Sequence, residues 1–247
     1  MKELFFKSIL KVKNLIKKLF NLKSELTKDI LFLLRVLEIE NPIIIDVGAY
    51  QGFWIGEYIK YFPYVKAYLI EPYIDSYRIL VNKFQNHKNI KVYNLAFSNT
   101  FGKEKVNINA KSYTNSLLEL DCKASESWEN DELMNITKED VNIITLDKFT
   151  KEKNLKKINI LKLDVQGYES RVLEGAKEAL KNKIIDLILL EIIIVPTYKN
   201  QSCVADLFNI FEKSQYKLYG IYDIEKNPKR GRIQQFDALF YKDDLNI

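Results

Sequence analysis

Ile43-Ile44-Ile45-Asp46-Val47-Gly48-Ala49-Tyr50-Gln51-Gly52 is the stretch on which the fold turns. Three β-branched residues run into an acid and then into a turn carrying two glycines. That is the pattern of a buried strand that ends at a ligand-facing edge and hands over to a helix. Gly48 lets backbone pass close to a ligand, and Gly52 opens the next helix. The dinucleotide fingerprint G-x-G-x-x-G is absent, so a pyrophosphate cradle is disfavoured. Asp46 at the strand end also repels phosphate and suits a cationic ligand.

Outward from this turn, short apolar runs alternate with helical stretches. Strands are expected over 43–47, 65–70, 90–95, 158–163 and 184–191, and helices over 53–61, 75–85, 169–181 and 204–213. Such alternation indicates a parallel sheet covered by helices on both faces. Segments 217–222 and 235–241 read as a final hairpin at the sheet edge. Region 98–149 breaks the rhythm. It holds a possible hairpin at 103–109 and the polar loop Ser112-Tyr113-Thr114-Asn115-Ser116, and reads as an insertion over the active edge.

Further acids stand at strand ends. Leu69-Ile70-Glu71-Pro72 ends the second strand on a carboxylate, which only accepts hydrogen bonds and can take both hydroxyls of a ribose. With the glycine turn it points to a nucleoside ligand lacking a phosphate chain. Small residues in Asn94-Leu95-Ala96-Phe97-Ser98 leave room for a flat base, with Ala96 as floor and Ser98 as partner. Leu161-Lys162-Leu163-Asp164-Val165-Gln166-Gly167-Tyr168-Glu169 repeats the strand–acid–glycine–helix pattern. Glu191, in Leu189-Leu190-Glu191-Ile192, is a carboxylate too costly for an apolar strand unless it faces a site.

Taken together, Asp46-Val47-Gly48-Ala49 with Gly52, Glu71-Pro72, Thr145-Leu146-Asp147, and 161–169 with Val172-Leu173-Glu174-Gly175-Ala176 resemble the FkbM family of methyltransferases. The resemblance covers about residues 42–241. It implies a Rossmann-like class I methyltransferase fold with a mostly parallel seven-stranded sheet, S-adenosylmethionine as cofactor, and O-methylation of a hydroxyl on a sugar, glycan or related polyhydroxylated metabolite. Cofactor-binding residues are then expected at Asp46, Gly48, Ala49, Gly52, Glu71, Pro72, Ala96 and Ser98. The chain departs from the family twice: Tyr50 stands where Asn is usual, and Gln166 where Glu is usual.

Methyl transfer needs the acceptor oxygen held in line and relieved of its proton. With His87, the one histidine, in a polar loop, Asp164 is the first candidate base and Glu191 the second. No resident metal is expected, although these two acids can in principle share a divalent cation. Tyr113, Asn115 and Ser116 are the expected acceptor-binding residues, and Tyr113 or Trp128 suits stacking on a sugar face.

Composition bounds the rest. The 247 residues are 47% apolar, enough for one α/β domain plus a small element. Net charge is +5, yet residues 1–28 hold eight lysines against Glu3 and Glu25, a local +6 that leaves the remainder at −1. A neutral body argues against a nucleic-acid partner. Residues 1–40 read as a basic amphipathic helical extension, with helix over 3–38, suited to a homodimer contact or to the surface of an anionic membrane. The catalytic domain is expected over 41–247. Two distant cysteines and no signal-peptide or membrane-spanning pattern point to the cytoplasm. The rival readings are an inactive methyltransferase-fold scaffold at the membrane and an NAD-dependent oxidoreductase, the latter lacking its glycine turn.

Overall fold

The computed structural model describes residues 24–128 and 133–245. Contacts divide the chain into two units, at residues 40 and 41. The first contributes the helix Glu25–Val36, whose N-cap Ser24 accepts a hydrogen bond from the Thr27 N–H. That cap starts a helix at 25, so the expected helix over 3–38 is not continuous; its first part lies outside the described residues. None of the described helices is long and apolar enough to cross a membrane.

The second unit is built on a seven-stranded sheet of order β3-β2-β1-β7-β8-β10-β9. The strands are β1 (Ile43–Val47), β2 (Lys66–Ile70), β3 (Ile90–Tyr93), β7 (Ile158–Leu163), β8 (Ile185–Ile193), β9 (Tyr216–Lys226) and β10 (Ile233–Lys242). All pairings from β3 through β8 are parallel, while β10 runs antiparallel to both β8 and β9. Strand order reverses between β1 and β7. A crevice opens there at the carboxyl ends of the strands, the general ligand position in open α/β sheets. Every residue of β7 is buried, as expected of a strand covered on both faces. The large core cluster joins this sheet to Leu173, Leu180, Leu207 and Phe211 of the following helices.

Two expectations need correction. The segment 103–109 is not a hairpin: β5 (Gly102–Asn109) pairs antiparallel with β6 (Asn135–Ile144), which also pairs with β4 (Ala96–Phe97) in a separate three-stranded sheet. Helix 169–181 is broken into Glu169–Glu174 and Lys177–Lys181. Gly175 sits at the break, where an added Cβ would lie 2.0 Å from the Ser98 carbonyl oxygen. The final hairpin stands at the sheet edge as expected, β10 pairing antiparallel with β9 and lying between it and β8.

Candidate active site

Backbone geometry decides what the β1 turn can do. Gly48 has φ +75°, and a Cβ there would fall 1.8 Å from the Asp164 carbonyl oxygen. Only glycine allows the ends of β1 and β7 to pack this closely. The N–H groups of Gly48 and Ala49 both donate to the Ile70 carbonyl, tying the turn to β2. Gly52 has a different duty. Its missing Cβ makes room for the Phe84 ring at 2.5 Å, and it lines none of the clefts described below.

Glu71 emerges from β2 beside this turn. Its carboxylate accepts the Tyr50 N–H at 2.8 Å and the Tyr73 N–H at 2.9 Å. Burial pushes its pKa up to about 8, against the opposing pull of these two hydrogen bonds. Asn94 fixes the Glu71-Pro72 turn by donating to both carbonyls. A cleft of about 720 Å³ opens here, lined among others by Gly48, Glu71, Pro72, Ala96, Asp164 and Tyr168.

Asp46 does not reach this cleft. It lies opposite Lys162 in the β1–β7 register and is fully buried. Lys162 Nζ stands 3.6 Å from Asp46 Oδ1 and 3.0 Å from Asp164 Oδ2. Asp46, expected to grip the ligand, thus faces Lys162 at ion-pair distance, and neither of its oxygens has a hydrogen-bond partner among the described residues. Burial raises the Asp46 pKa while Lys162 pulls it down. Burial works against the charge on Lys162, but Asp164 and Asp46 outweigh it and its pKa is raised.

Ser98 is likewise displaced from its expected place. It is buried outside the cleft lining, and its Oγ lies 3.0 Å from the hydroxyl of Tyr168, which does line the cleft. Its effect on a base would pass through that tyrosine.

Beyond Asp164 the acids converge around an amide. Gln166, held at φ +53°, donates through Nε2 to Asp164 Oδ1 at 3.1 Å and to Glu191 Oε2 at 2.7 Å. Its Oε1 accepts from the Tyr198 hydroxyl at 3.0 Å. Gln235 donates to the other Glu191 oxygen at 2.9 Å. Burial, then Asp164 and Asp237, raise the Glu191 pKa well above the ordinary carboxylate range. Asp237 lies directly across the β10–β8 pairing from Glu191, and burial with the Asp164 charge lifts its pKa to about 7. Sequence reasoning missed Asp237. The signal was present, since Phe236-Asp237-Ala238-Leu239-Phe240 buries an acid in an apolar strand just as Leu189-Leu190-Glu191 does. Glu169 accepts the N–H groups of Val165 and Gly167 and shapes the turn that presents Gln166.

The loop 112–118 roofs the first cleft. Tyr113 lines it and stands edge-on to Tyr50, with ring centroids 6.4 Å apart. Asn115 Oδ1 accepts the Asn109 N–H, and Ser116 Oγ donates to the Gln166 carbonyl. Tyr198 donates to the Thr114 carbonyl, while Asn107 Nδ2 donates to the carbonyls of Ser116 and Leu118. Asn115 and Ser116 line the cleft but spend these oxygens on fastening the roof. Two further clefts adjoin. One of about 680 Å³ includes Ala49, Lys162, Asp164, Glu191 and Asp237; another of about 860 Å³ includes Tyr113, Trp128, Gln166, Glu191 and Tyr198. Glu191 borders both, and Gln166 and Tyr113 divide the first cleft from the one of about 860 Å³. Among the described residues no group of three or more His, Cys, Asp or Glu forms a metal site.

The sequence model of the family described as "Methyltransferase FkbM domain" matches residues 46–218. No protein with a curated description matches the chain. Among solved structures, magnesium protoporphyrin IX methyltransferase from Synechocystis is 8% identical, with TM-score 0.47, covering 87% of this chain and 77% of that one. An S-adenosylmethionine-dependent methyltransferase from Aquifex aeolicus is 12% identical, with TM-score 0.42 and coverage of 86% and 88%. Precorrin-6y C5,15-methyltransferase from Geobacter metallireducens is 7% identical, with TM-score 0.41 and coverage of 86% and 87%. These likenesses carry nothing about the acceptor.

Proposed function

Because the chain belongs to the FkbM methyltransferase domain family and is an S-adenosylmethionine-dependent methyltransferase, we propose that it methylates a hydroxyl oxygen of a sugar, a glycan or a related polyhydroxylated metabolite. When bound, S-adenosylmethionine supplies an electrophilic methyl group. The residues present fit that cofactor. Gly48 lets the ends of β1 and β7 meet at the wall of the first cleft, and Glu71 offers carboxylate lone pairs to a ribose diol. Ala96 and Tyr168 border space for a base, and Ala49 stands in the adjoining cleft toward an aminoacyl tail.

The observation that carries the acceptor reading is the position of Glu191. It stands where the cleft assigned to the aminoacyl tail meets the cleft of about 860 Å³, and its proton affinity is raised. A base with raised affinity is matched to a hydroxyl that becomes acidic only as its oxygen is alkylated. Asp164 is less suited to that task. The Lys162 ammonium stands 3.0 Å from it, whereas Glu191 is met by amide donors, Gln166 and Gln235. We therefore reverse the order expected from sequence. Glu191 receives the hydroxyl proton, and Asp164, neutralised by Lys162, positions Gln166. Tyr113 walls the acceptor side, and the near-neutral charge of residues 29–247 disfavours a nucleic-acid acceptor.

Incubation with methyl-labelled cofactor and extracted cell-envelope glycans tests this. Label is expected in alkali-stable ether linkage on carbohydrate. Label confined to protein, lipid or nucleic acid refutes the proposal.

A further inference from the structure

Tyr50 sits badly with its own backbone. Its φ is +49°, in the left-handed region that a side chain enters at a cost and that Asn and Asp tolerate best. Strain of this kind persists only where the surroundings over-determine it, and it gathers at ligand clamps. Here the surroundings act from three sides. The Tyr50 N–H donates to Glu71 Oε2 at 2.8 Å, and the phenol oxygen accepts from Ser112 Oγ at 3.3 Å. The ring stands against Phe53 and Tyr113, with centroids 6.2 and 6.4 Å away. The side chain thus reaches from the β1 turn to the roof segment. Among the described residues, Gly48, Tyr50 and Asp164 alone line both the cleft of about 720 Å³ and the cleft of about 680 Å³.

We infer that the Tyr50 ring reads the charge on the cofactor's sulfur, favouring the sulfonium of S-adenosylmethionine over the uncharged thioether of the spent product. The inference rests on the placement of the cofactor above, with ribose and base in the first cleft and the aminoacyl tail in the second. The sulfur joins those two parts and so lies at the junction the three residues share. Gly48 offers it no side chain. The Asp164 carboxylate already has the Lys162 ammonium 3.0 Å away, which offsets its pull on a second cation. Tyr50 is the remaining group. An aromatic face attracts a cation through its quadrupole, and a thioether, without net charge, gains less. Strain at residue 50 is thereby coupled to preference: the ring holds the methyl donor and lets go of the demethylated product.

Calorimetry tests it by measuring the affinities of S-adenosylmethionine and S-adenosylhomocysteine for the wild type and for Tyr50→Phe, Tyr50→Leu and Tyr50→Asn. Phe keeps the ring, Leu keeps bulk without an aromatic face, and Asn suits the left-handed backbone, so the Asn variant folds even where Leu does not. Tyr50→Phe is expected to retain the wild-type ratio of the two affinities. Tyr50→Leu and Tyr50→Asn are expected to lower it at least ~3-fold, through loss of S-adenosylmethionine affinity. An unchanged ratio in Leu and Asn, whether both compounds weaken together or neither does, overturns the inference. A ratio lowered as far in Tyr50→Phe assigns the effect to the hydroxyl and overturns it as well. Glu71→Ala tells the two kinds of failure apart. If it leaves both affinities unchanged, the cofactor lies outside these clefts and its placement falls together with the inference. If it weakens both while the Tyr50 ratio stays fixed, the inference alone falls.

Discussion

Replacing Lys162 by methionine removes the one cation from between Asp46 and Asp164. The ammonium lies 3.0 Å from one carboxylate and 3.6 Å from the other, with the lysine side chain 11% exposed and the Asp46 side chain 1%. At an effective dielectric near 20 each contact is worth ~5 kcal/mol before desolvation is subtracted. Deleting one member of such a buried group typically costs ~3–5 kcal/mol net. That is a large share of the ~5–15 kcal/mol by which domains are stable. The loss should depend on pH with a definite sign. Without the lysine, the Asp46 carboxyl, which burial already raises, holds its proton to higher pH in the folded state than in the unfolded chain. Stability retained while it is protonated is then lost as pH rises. Urea unfolding of the cofactor-free protein at pH 5 and pH 8 reads this directly. We expect Lys162→Met to lose more at pH 8 than at pH 5, with the denaturant slope unchanged. Adding Asp46→Asn should recover part of the loss. A deficit below ~1 kcal/mol at pH 8, or one larger at pH 5, would refute the reading of Lys162 as the counter-charge.

Other outcomes follow from single contacts. Glu71→Ala removes the acceptor for two backbone N–H groups and should cost ~1–3 kcal/mol. It should also weaken S-adenosylmethionine at least ~10-fold by calorimetry, about one lost charged hydrogen bond; unchanged affinity excludes the ribose role. Gly48→Ala forces a Cβ onto the Asp164 carbonyl at φ +75°. The left-handed strain alone is ~1–2 kcal/mol, so wild-type thermal stability in this variant would contradict the β1–β7 packing. Glu191→Gln should abolish turnover while leaving cofactor affinity within ~3-fold, whereas a base at Asp164 predicts substantial residual activity; single-turnover kinetics separates them. Glu71, Glu169 and Asp237 have folded pKa values of about 8, 7 and 7, above their ordinary values of 4.5, 4.5 and 3.8. Their protonated forms favour the folded state, so the cofactor-free protein should lose stability as pH rises from about 5 to 9. Thermal scans that show a rise over that interval would contradict these burials.

Much of the sheet was legible because β1, β2, β7 and β8 are short apolar runs bounded by acids and turns, which local pattern reports faithfully. The pairing of β5 with β6 was not. Asn135-Ile136-Thr137-Lys138-Glu139-Asp140 is polar and largely exposed, so hydrophobic alternation is faint, and its partner is distant in sequence. The break at Gly175 was hidden because apolar periodicity runs on across it; there Asp147 takes over, its N–H donating to the Gly175 carbonyl and its carboxylate accepting the N–H groups of Glu178 and Ala179. At the site, Glu71 and Glu191 could be found from strand ends. Asp237 could not be joined to them without knowing that β10 slots between β8 and β9. That Asp46 stands across from Lys162 was equally hidden, since the β1–β7 register that sets them side by side joins segments more than a hundred residues apart.

The cover over the first cleft has a consequence for traffic. Six hydrogen bonds from Asn107, Asn109, Ser116 and Tyr198 bind segment 114–118 to β5, to Gln166 and to the loop after β8. At about 1 kcal/mol each, releasing them together would leave the segment lifted in fewer than ~1 molecule in 10³. Cofactor and spent product therefore have to thread past a fixed lintel, and dwell time is governed by the width of that doorway instead of by a hinge.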